Sequence, residues 1–190
     1  MNAPERDAKA ARGEGGEEVV MIPAVMEDGR LEPIEKMEAH RRGQLHLAVS
    51  VFLFDPGGRL LVQRRAASKY HCPGQWANTC CTHPHWGESP GPAARRRTDE
   101  ELGIGEVPLE ERRTIDYRAD VGGGLIEHER VTMYRGTVDP GALRFALNPK
   151  EVDAVDWLAP DALAWRLSND PLSLAPWFRI YLERFPGLAI

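Results

Sequence analysis

The sequence predicts an α+β fold in a single domain, with helices packed on a mixed β-sheet, and three observations support this class. The chain has 190 residues, close to the ~150 residues of one typical domain. Hydrophobic residues make up 42% of it and charged residues 28%, which is typical of a globular protein and excludes collagens, disordered chains and disulfide-rich miniproteins. Segments with the pattern of strands outnumber those with the pattern of helices and follow one another mainly as hairpins.

The N-terminal part divides into a polar tail and the first strands. Residues 1–18 are mostly Gly, Glu, Ala and Arg with little to bury, so we expect a disordered tail before a folded domain over residues 19–190. From Glu17 the segment E-E-V-V-M-I-P predicts a short strand. The turn Glu27-Asp28-Gly29-Arg30 then leads into a second strand.

A long strand and a hairpin are predicted next. Residues 45–54, L-H-L-A-V-S-V-F-L-F, are mainly β-branched, aromatic and aliphatic, and the run stops at Asp55-Pro56-Gly57-Gly58. Residues 59–64 resume the pattern, so the two runs predict a hairpin. A loop rich in Pro, Gly and Trp follows from residue 66 to about residue 76.

The clearest helix signal begins at Ser89, a good N-cap residue, with Pro90 just inside the first turn. This helix ends at Gly103, a natural C-cap. The remaining predicted elements are strands over 112–120, 125–137 and 152–158, and two helices within 160–185 that are interrupted at 169–171.

Two pairs of polar residues share a face of a predicted strand, because side chains two apart in a strand point the same way. Cys81 and His83 form one pair, and Glu127 and Glu129 form the other. Taken alone, the first pair is explained by a buried cysteine beside a hydrogen-bonded histidine. The second pair is explained by an ordinary solvated face.

Two further histidines, His40 and His46, flank the start of the long strand, where a half-buried histidine would be ordinary. A mixed sheet can bring these two, His83 and the two carboxylates to one point. Imidazole and carboxylate donors without thiolates suit Mn²⁺, Mg²⁺ or Zn²⁺ in an octahedral site better than a structural zinc site.

Charge and cysteine content restrict the location and partners of the protein. A net charge of −5 argues against binding to a phosphate backbone. Three cysteines are too few for a disulfide framework, and the odd number fits a reducing compartment. No apolar run approaches the ~20 residues of a transmembrane helix, and the N-terminus lacks the apolar core of a secretory signal. We therefore expect a cytoplasmic protein with no nucleic-acid or membrane partner, as a monomer or weak homodimer.

The most specific signal lies over residues 82–104, T-H-P-H-W-G-E-S-P-G-P-A-A-R-R-R-T-D-E-E-L-G-I. This segment resembles the Nudix box, G-x5-E-x7-R-E-U-x-E-E-x-G-U, where U is aliphatic. The matching positions are Glu88, Arg96, Glu100, Glu101, Gly103 and Ile104. In Nudix hydrolases the helix glutamates hold a divalent metal against a diphosphate.

The segment departs from the Nudix box at two positions, Thr82 in place of the first glycine and Arg97 in place of a glutamate. Arg97 lies four residues before Glu101, hence one turn away on the same helix face. A cation there removes a carboxylate that would help to bind metal for hydrolysis. It is instead well placed to pair with a phosphate oxygen.

The altered box, preceded by N-T-C-C-T-H-P at 78–84, closely resembles the type 1 isopentenyl-diphosphate isomerase family. The resemblance extends from about Leu31 to Trp177. Its other matches occur in the same order, at 45–50, 60–62, 64–66, 68–69, 73–74, 76, 117–119, 127, 129 and 176–177.

The resemblance implies a Nudix-like mixed β-sheet sandwiched by helices, and an isomerase that interconverts isopentenyl diphosphate and dimethylallyl diphosphate through a carbocation, early in isoprenoid biosynthesis. It implies Cys81 and Glu129 as the two acid–base groups, with Tyr117 beside Glu129. The implied ligands of one metal, Mn²⁺ or Mg²⁺ with Zn²⁺ as an alternative, are His40, His46, His83, Glu127 and Glu129. Glu101 would serve a second ion, a Mg²⁺ that bridges the diphosphate. The implied substrate-binding residues are Lys36, Arg65, Lys69, Arg97 and Trp177.

The chemistry of an alkene agrees with these roles. An unactivated alkene is a poor base, so its protonation needs a strong, positioned acid and a site that tolerates a tertiary carbocation. A metal beside Glu129 can fix that acid, and the face of Trp177 can stabilise the cation while water is excluded. Cys81 is the candidate for removing the proton from C2 on the opposite face. Cys80 is adjacent but points to the other face of the strand, so we expect it to be a packing residue. We expect Cys72 to have no part in the chemistry.

Two other functions compete with isomerisation. A Nudix pyrophosphatase acting on a nucleotide would need the glutamate that Arg97 replaces and would not require Cys81. A non-catalytic metal-binding or nucleotide-binding module would not need Cys81 and Glu129 together.

Overall fold

The computed structural model describes residues 19–190, so the predicted tail over residues 1–18 lies outside the described residues. The described chain forms one nine-stranded mixed sheet and four α-helices, which confirms the predicted fold class. In chain order the elements are β1 (Met21–Val25), β2 (Leu31–Glu35), α1 (Lys36–Arg42), β3 (His46–Phe54), β4 (Leu60–Arg65), β5 (Trp76–Ala77), β6 (Cys80–Thr82), α2 (Pro90–Leu102), β7 (Glu110–Gly122), β8 (Leu125–Thr137), β9 (Val152–Leu158), α3 (Pro160–Asn169) and α4 (Pro176–Arg184). Short 3₁₀ turns lie at 140–142, 171–173 and 186–188.

The sheet is sandwiched by helices because alternate residues of β3 face opposite layers. Val49, Val51 and Leu53 pack with residues of α2 in one apolar cluster. Phe52 packs with residues of α3 and α4 in the other cluster, where Trp177 and its neighbours in α4 are fully or almost fully buried. Each fully buried large apolar side chain contributes about 1.5–3 kcal/mol, so both faces of β3 hold the layers together.

The central strand β3 fixes the lateral position of its neighbours. It pairs in parallel with β8, placing His46 opposite Glu129, and antiparallel with β6, placing Ser50 opposite Cys81. On the far side of β8, Tyr117 of β7 lies opposite Glu129. The register therefore sets three polar residues in one row across three strands.

The predicted hairpin of β3 and β4 is mostly open. The two strands pair only at Phe54 and Leu60, and β4 pairs instead with β9 and β5. The buried Thr79 hydroxyl bridges the gap, accepting from the Leu53 N–H at 2.9 Å and donating to the Leu61 carbonyl at 2.7 Å.

The helix α1 is a short element that the sequence analysis did not predict. Its first turn is capped by the Glu35 carboxylate, which accepts from the Met37 N–H at 2.7 Å and the Glu38 N–H at 2.8 Å. It ends at Gly43, whose φ of 60° favours glycine. The cap and the glycine together define seven helical residues that carry His40.

The boundaries of α2 agree with the prediction, although its N-cap does not act as expected. Ser89 occupies the N-cap position, yet its side chain makes no capping hydrogen bond. At the other end Gly103 has a φ of 72°, and a Cβ there would lie 2.6 Å from the Ala146 side chain. This position therefore requires glycine both for its conformation and for close packing.

Among residues 19–190, every helix is too short or too polar to span a bilayer.

Replacing Thr79 with valine should destabilise the fold, because the change leaves the Leu53 N–H and the Leu61 carbonyl without their partner. Buried polar groups that lose a hydrogen bond cost about 1–3 kcal/mol each, so we expect the free energy of unfolding in urea to fall by about 2–4 kcal/mol. The control is Thr114→Val, at an exposed position of β7, which should change it by less than ~0.5 kcal/mol. Equal effects of the two changes would show that the Thr79 bridge is not stabilising.

Candidate active site

Three histidines from different parts of the chain meet at one end of β3. His40 lies in α1, His46 begins β3, and His83 follows β6. Their ring centroids are separated by 5.0 Å (His40 to His46), 5.1 Å (His40 to His83) and 4.9 Å (His46 to His83). One ligand atom from each histidine and one from Glu129 all lie within 4.8 Å of one another, as the donors of a single ion do.

The hydrogen bonds of two rings leave their other nitrogens free for a cation. Nδ1 of His40 lies 2.7 Å from the Lys36 carbonyl, and Nδ1 of His46 lies 2.7 Å from the Gln44 carbonyl. Since a carbonyl only accepts, each Nδ1 carries the proton and each Nε2 presents a lone pair. Both Nε2 atoms are buried without a hydrogen-bond partner. Backbone carbonyls orient metal-binding histidines in this way, so the donor set fits a divalent ion.

Burial favours the neutral form of two of the imidazoles, which is the form that binds a metal. It lowers the pKa of His40, and it lowers the pKa of His83 to about 3. Nε2 of His83 lies 2.9 Å from Oε1 of Glu129.

A tyrosine connects the two predicted carboxylates. The Tyr117 hydroxyl lies 2.7 Å from Oε2 of Glu129 and 3.0 Å from Oε2 of Glu127. Burial acts to raise the pKa of Glu129, but contacts with His46 and His83 outweigh it and hold that pKa well below its ordinary value. Burial, followed by the charge of Glu129, raises the pKa of Glu127 well above its ordinary value.

A phenol has one proton, so Tyr117 can donate to only one of the two carboxylates at a time. The sequence prediction that both carboxylates point to one side is therefore consistent with their shared contact. Glu127 lies outside the group of four mutually close ligand atoms, and its role as a further metal ligand stays a prediction.

A small cavity of about 50 Å³ collects most of the predicted site residues beside this cluster. Its lining includes Lys36, Arg65, Lys69, Cys81, His83, Arg97, Glu101, Tyr117, Glu127, Glu129 and Trp177. The four predicted phosphate-binding cations thus face the same space as the thiol and the carboxylates. The guanidinium of Arg65 lies 5.1 Å from the centre of the Trp177 ring, a cation–π distance.

Arg97 makes the contact that its spacing predicts. Its Nη2 lies 2.8 Å from Oε1 of Glu101, one helical turn away, and 2.8 Å from Oε2 of Glu151. Burial acts to lower the pKa of Arg97, but Glu101 and Glu151 outweigh it and raise that pKa, so the guanidinium stays charged. Gln63 donates to the other oxygen of Glu101 at 2.9 Å.

The two adjacent cysteines lie on opposite sides of the sheet, as the strand parity predicts. Cys80 is fully buried in the cluster below α2. Cys81 lines the cavity, and its thiol donates to Oδ1 of Asn78 at 3.0 Å. Burial raises the pKa of the Cys81 thiol to about 12, although the hydrogen bond with Ser50 acts to lower it.

Two residues of the cavity region were not found from the sequence. Glu151 joins two of the cations, since its carboxylate also lies 2.6 Å from Nζ of Lys69. His71 lies in the lining, with Nε2 at 3.3 Å from Oε1 of Glu127. Both lie in loops, where no periodic pattern gives a sequence signal.

A larger cavity of about 790 Å³ lies elsewhere, between the β1–β2 turn, the end of α1 and β8. Its arginines form surface ion pairs, such as Arg130 with Asp116 at 2.8 Å. Among residues 19–190, the lining of this larger cavity contains one histidine, His128, and no cysteine. The smaller cavity, where nucleophile, carboxylates and cations converge, is therefore the candidate active site.

Comparisons with known proteins identify the family of this chain. The NUDIX domain family matches residues 44–178. A protein of Jannaschia sp. (strain CCS1) named isopentenyl-diphosphate Delta-isomerase is 51% identical over 161 residues, which cover 85% of this chain and 90% of that protein. A protein of the same name from Rhodobacter capsulatus is 47% identical over 164 residues, covering 86% of this chain and 92% of that protein.

A crystal structure from Deinococcus radiodurans has a similar fold, with a TM-score of 0.69 at 18% identity. The alignment covers 86% of this chain and 98% of that one. At this identity the structural similarity supports the fold alone. The two isomerase relatives are about half identical to this chain, and the alignments cover 90% and 92% of their length. The chain therefore belongs to the isopentenyl-diphosphate Delta-isomerase family of NUDIX-domain proteins.

Proposed function

We propose that this protein interconverts isopentenyl diphosphate and dimethylallyl diphosphate by moving the double bond between neighbouring carbons. One observation carries the proposal. Cys81 and the Tyr117–Glu129 pair line a single cavity together with four cationic side chains. A hydrolase has no use for a thiol and a carboxyl that face the same carbon chain. An allylic isomerase needs both.

The diphosphate end of the substrate would bind to the cationic wall. Lys36, Arg65, Lys69 and Arg97 line it, and charge-assisted hydrogen bonds to phosphate oxygens are stronger than neutral ones. Glu101 lines the same cavity and would help to hold a Mg²⁺, which would supply further positive charge for the diphosphate. Arg97 supports binding in place of the carboxylate that hydrolysis would use.

The two proton transfers can be assigned to Glu129 and Cys81, which line the same cavity. In the forward direction the carboxyl form of Glu129, assisted by Tyr117, gives its proton to C4. The alkene electron pair forms the new C4–H bond and leaves a tertiary cation at C3. The thiolate form of Cys81 then takes a proton from C2, and the electrons of that C–H bond become the C2=C3 double bond. The lowered pKa of Glu129 and the raised pKa of Cys81 favour the carboxylate and the thiol, which is the state that the forward reaction leaves. One proton must therefore return from Cys81 to Glu129 before each forward turnover.

The cation would be protected by the apolar part of the cavity. Trp177 is 2% exposed, and the face of its indole ring attracts a positive charge. Water would trap the cation as an alcohol, so a narrow cavity favours the isomer.

The histidine cluster would hold Mn²⁺ or Mg²⁺ through His40, His46, His83 and Glu129, with Glu127 as a further ligand. The ion supplies a positive charge that fixes the Glu129 carboxyl and adjusts its acidity. A cytoplasmic location and a monomer or weak homodimer remain predictions from the sequence.

In the direct test, the purified protein is incubated with isopentenyl diphosphate, Mg²⁺ and Mn²⁺. Proton NMR should detect the two allylic methyl groups of dimethylallyl diphosphate, without release of phosphate. Phosphate release without isomer would indicate the competing pyrophosphatase. Metal binding without either product would indicate a non-catalytic module.

Cys81→Ala should lower kcat by roughly 10²–10⁴-fold, the usual effect of losing a positioned acid or base, with the far-ultraviolet circular dichroism unchanged. Cys80→Ala is the matched control, because its sulfur packs on the other side of the sheet, and its kcat should stay within about threefold of wild type. An inactive Cys80→Ala beside an active Cys81→Ala would reverse the assignment.

Chelation followed by desalting should abolish turnover, and Mn²⁺ or Mg²⁺ should restore it. His46→Ala should lower the bound metal per protein chain, measured by elemental analysis. His85→Ala is the control, because His85 is exposed and lies outside the cluster. Full metal content in a His40, His46 and His83 triple alanine variant would rule out this site.

Arg97→Glu should raise KM for isopentenyl diphosphate by roughly 10- to 100-fold, because a charged hydrogen bond is lost and repulsion is added. We expect at most a trace of phosphate release. Arg95→Glu on the exposed face of the same helix makes the same charge change away from the cavity and should leave KM within about twofold. An unchanged KM in Arg97→Glu would show that Arg97 does not contact the substrate.

A further inference from the structure

Two buried hydroxyl groups lie in line behind the Cys81 sulfur. Oγ of Ser50 is 3.4 Å from Sγ of Cys81, and the Tyr181 hydroxyl is 2.9 Å from Oγ of Ser50. Ser50 is 2% exposed and Tyr181 is fully buried. Neither residue lines the cavity, and neither has a part in the proton transfers described above.

The direction of this hydrogen-bonded chain follows from Asn78. Its Nδ2 donates to the carbonyls of Val51 and Cys80, both at 3.0 Å, so Oδ1 is the atom that faces Cys81. The thiol of Cys81 therefore donates to Asn78. Ser50 can reach the sulfur only as a donor, and the Tyr181 hydroxyl then donates to Ser50.

The Tyr181 ring is fixed independently of its hydroxyl. It packs edge-on against Phe52 with ring centroids 5.6 Å apart, and against Tyr117 with centroids 5.7 Å apart. A phenylalanine at this position would keep both ring contacts. The hydroxyl is therefore not needed for packing, and a buried hydroxyl is retained at a desolvation cost.

We propose that Ser50 and Tyr181 are positioning residues for Cys81, acting as a two-hydroxyl chain that donates to its sulfur. The inference rests on the proposed isomerase function. When the thiolate takes the C2 proton, the sulfur lone pair forms the S–H bond. The Ser50 hydrogen bond holds the sulfur toward C2 before and after this transfer, while Tyr181 keeps the Ser50 hydroxyl turned toward it.

The test compares Ser50→Ala, Tyr181→Phe and the double variant in the isomerase assay. Loss of a donor to sulfur should lower kcat by roughly 10- to 100-fold in Ser50→Ala, and by roughly three- to tenfold in Tyr181→Phe, with KM within about twofold. The double variant should be no worse than Ser50→Ala, because Tyr181 acts through Ser50. Tyr134→Phe is the matched control. It removes a hydroxyl that contacts Glu111 from a tyrosine of the apolar cluster below α2, and its kcat and KM should match those of the wild type.

The inference would be overturned if the kcat effects of the two single changes multiplied in the double variant, or if the changes raised KM instead of lowering kcat.

A second readout does not depend on turnover. The infrared S–H stretching band, identified by its absence in Cys81→Ala, should shift in Ser50→Ala, shift less in Tyr181→Phe, and stay unmoved in Tyr134→Phe. An unmoved band in an active enzyme overturns this inference alone. A wild-type protein that lacks isomerase activity overturns the proposed function, whatever the band does.

Discussion

The parallel pairing of β3 with β8 is the constraint on which the site depends. It places His46 opposite Glu129, and the next pairing places Tyr117 opposite Glu129. A slip of one residue would turn every side chain of β8 to the other face, moving Glu129 to the side of the sheet where His128 and Arg130 line the larger cavity. Val131 and Met133 of β8 oppose this slip, because both are fully buried in the cluster with α3 and α4. The same burial that stabilises the fold therefore holds the polar row in register.

Local periodicity explains how much of the site could be predicted. The period of two separates Cys81 from Cys80 and puts Glu127 and Glu129 on one side, and the helical period brings Arg97 to Glu101. The residues alone allowed the three histidines and two carboxylates to be grouped at one point, and the resemblance implied their roles as metal ligands. Contacts set by long-range register were not predictable: the Thr79 bridge, the position of Glu151 between two cations, and the Ser50–Tyr181 contact. The helix α1 was missed because its cap is a glutamate and its length is only seven residues.

Two of the four cations of the site belong to one network of ion pairs. Arg97 contacts Glu101 and Glu151, and Glu151 also contacts Lys69. Buried ion pairs of this kind add little net stability, since desolvation offsets their attraction. Their effect is geometric, because each carboxylate restricts the rotamers of the cation beside it. A diphosphate would then meet side chains that are already extended toward it, and less conformational entropy would be lost on binding.

The volume of the active-site cavity has a kinetic consequence. About 50 Å³ is room for only a few water molecules, and a five-carbon diphosphate is far larger. If the proposed substrate binds here, side chains of the lining would have to move apart. The segment after β4 that carries Lys69 and His71 contains Cys72 at a φ of 50°, a strained conformation for a non-glycine residue. Opening is a separate equilibrium, and the apparent affinity is the intrinsic one reduced by the open fraction. A substitution far from the diphosphate can thus change KM by altering how often the chamber opens, with every contact to the substrate intact.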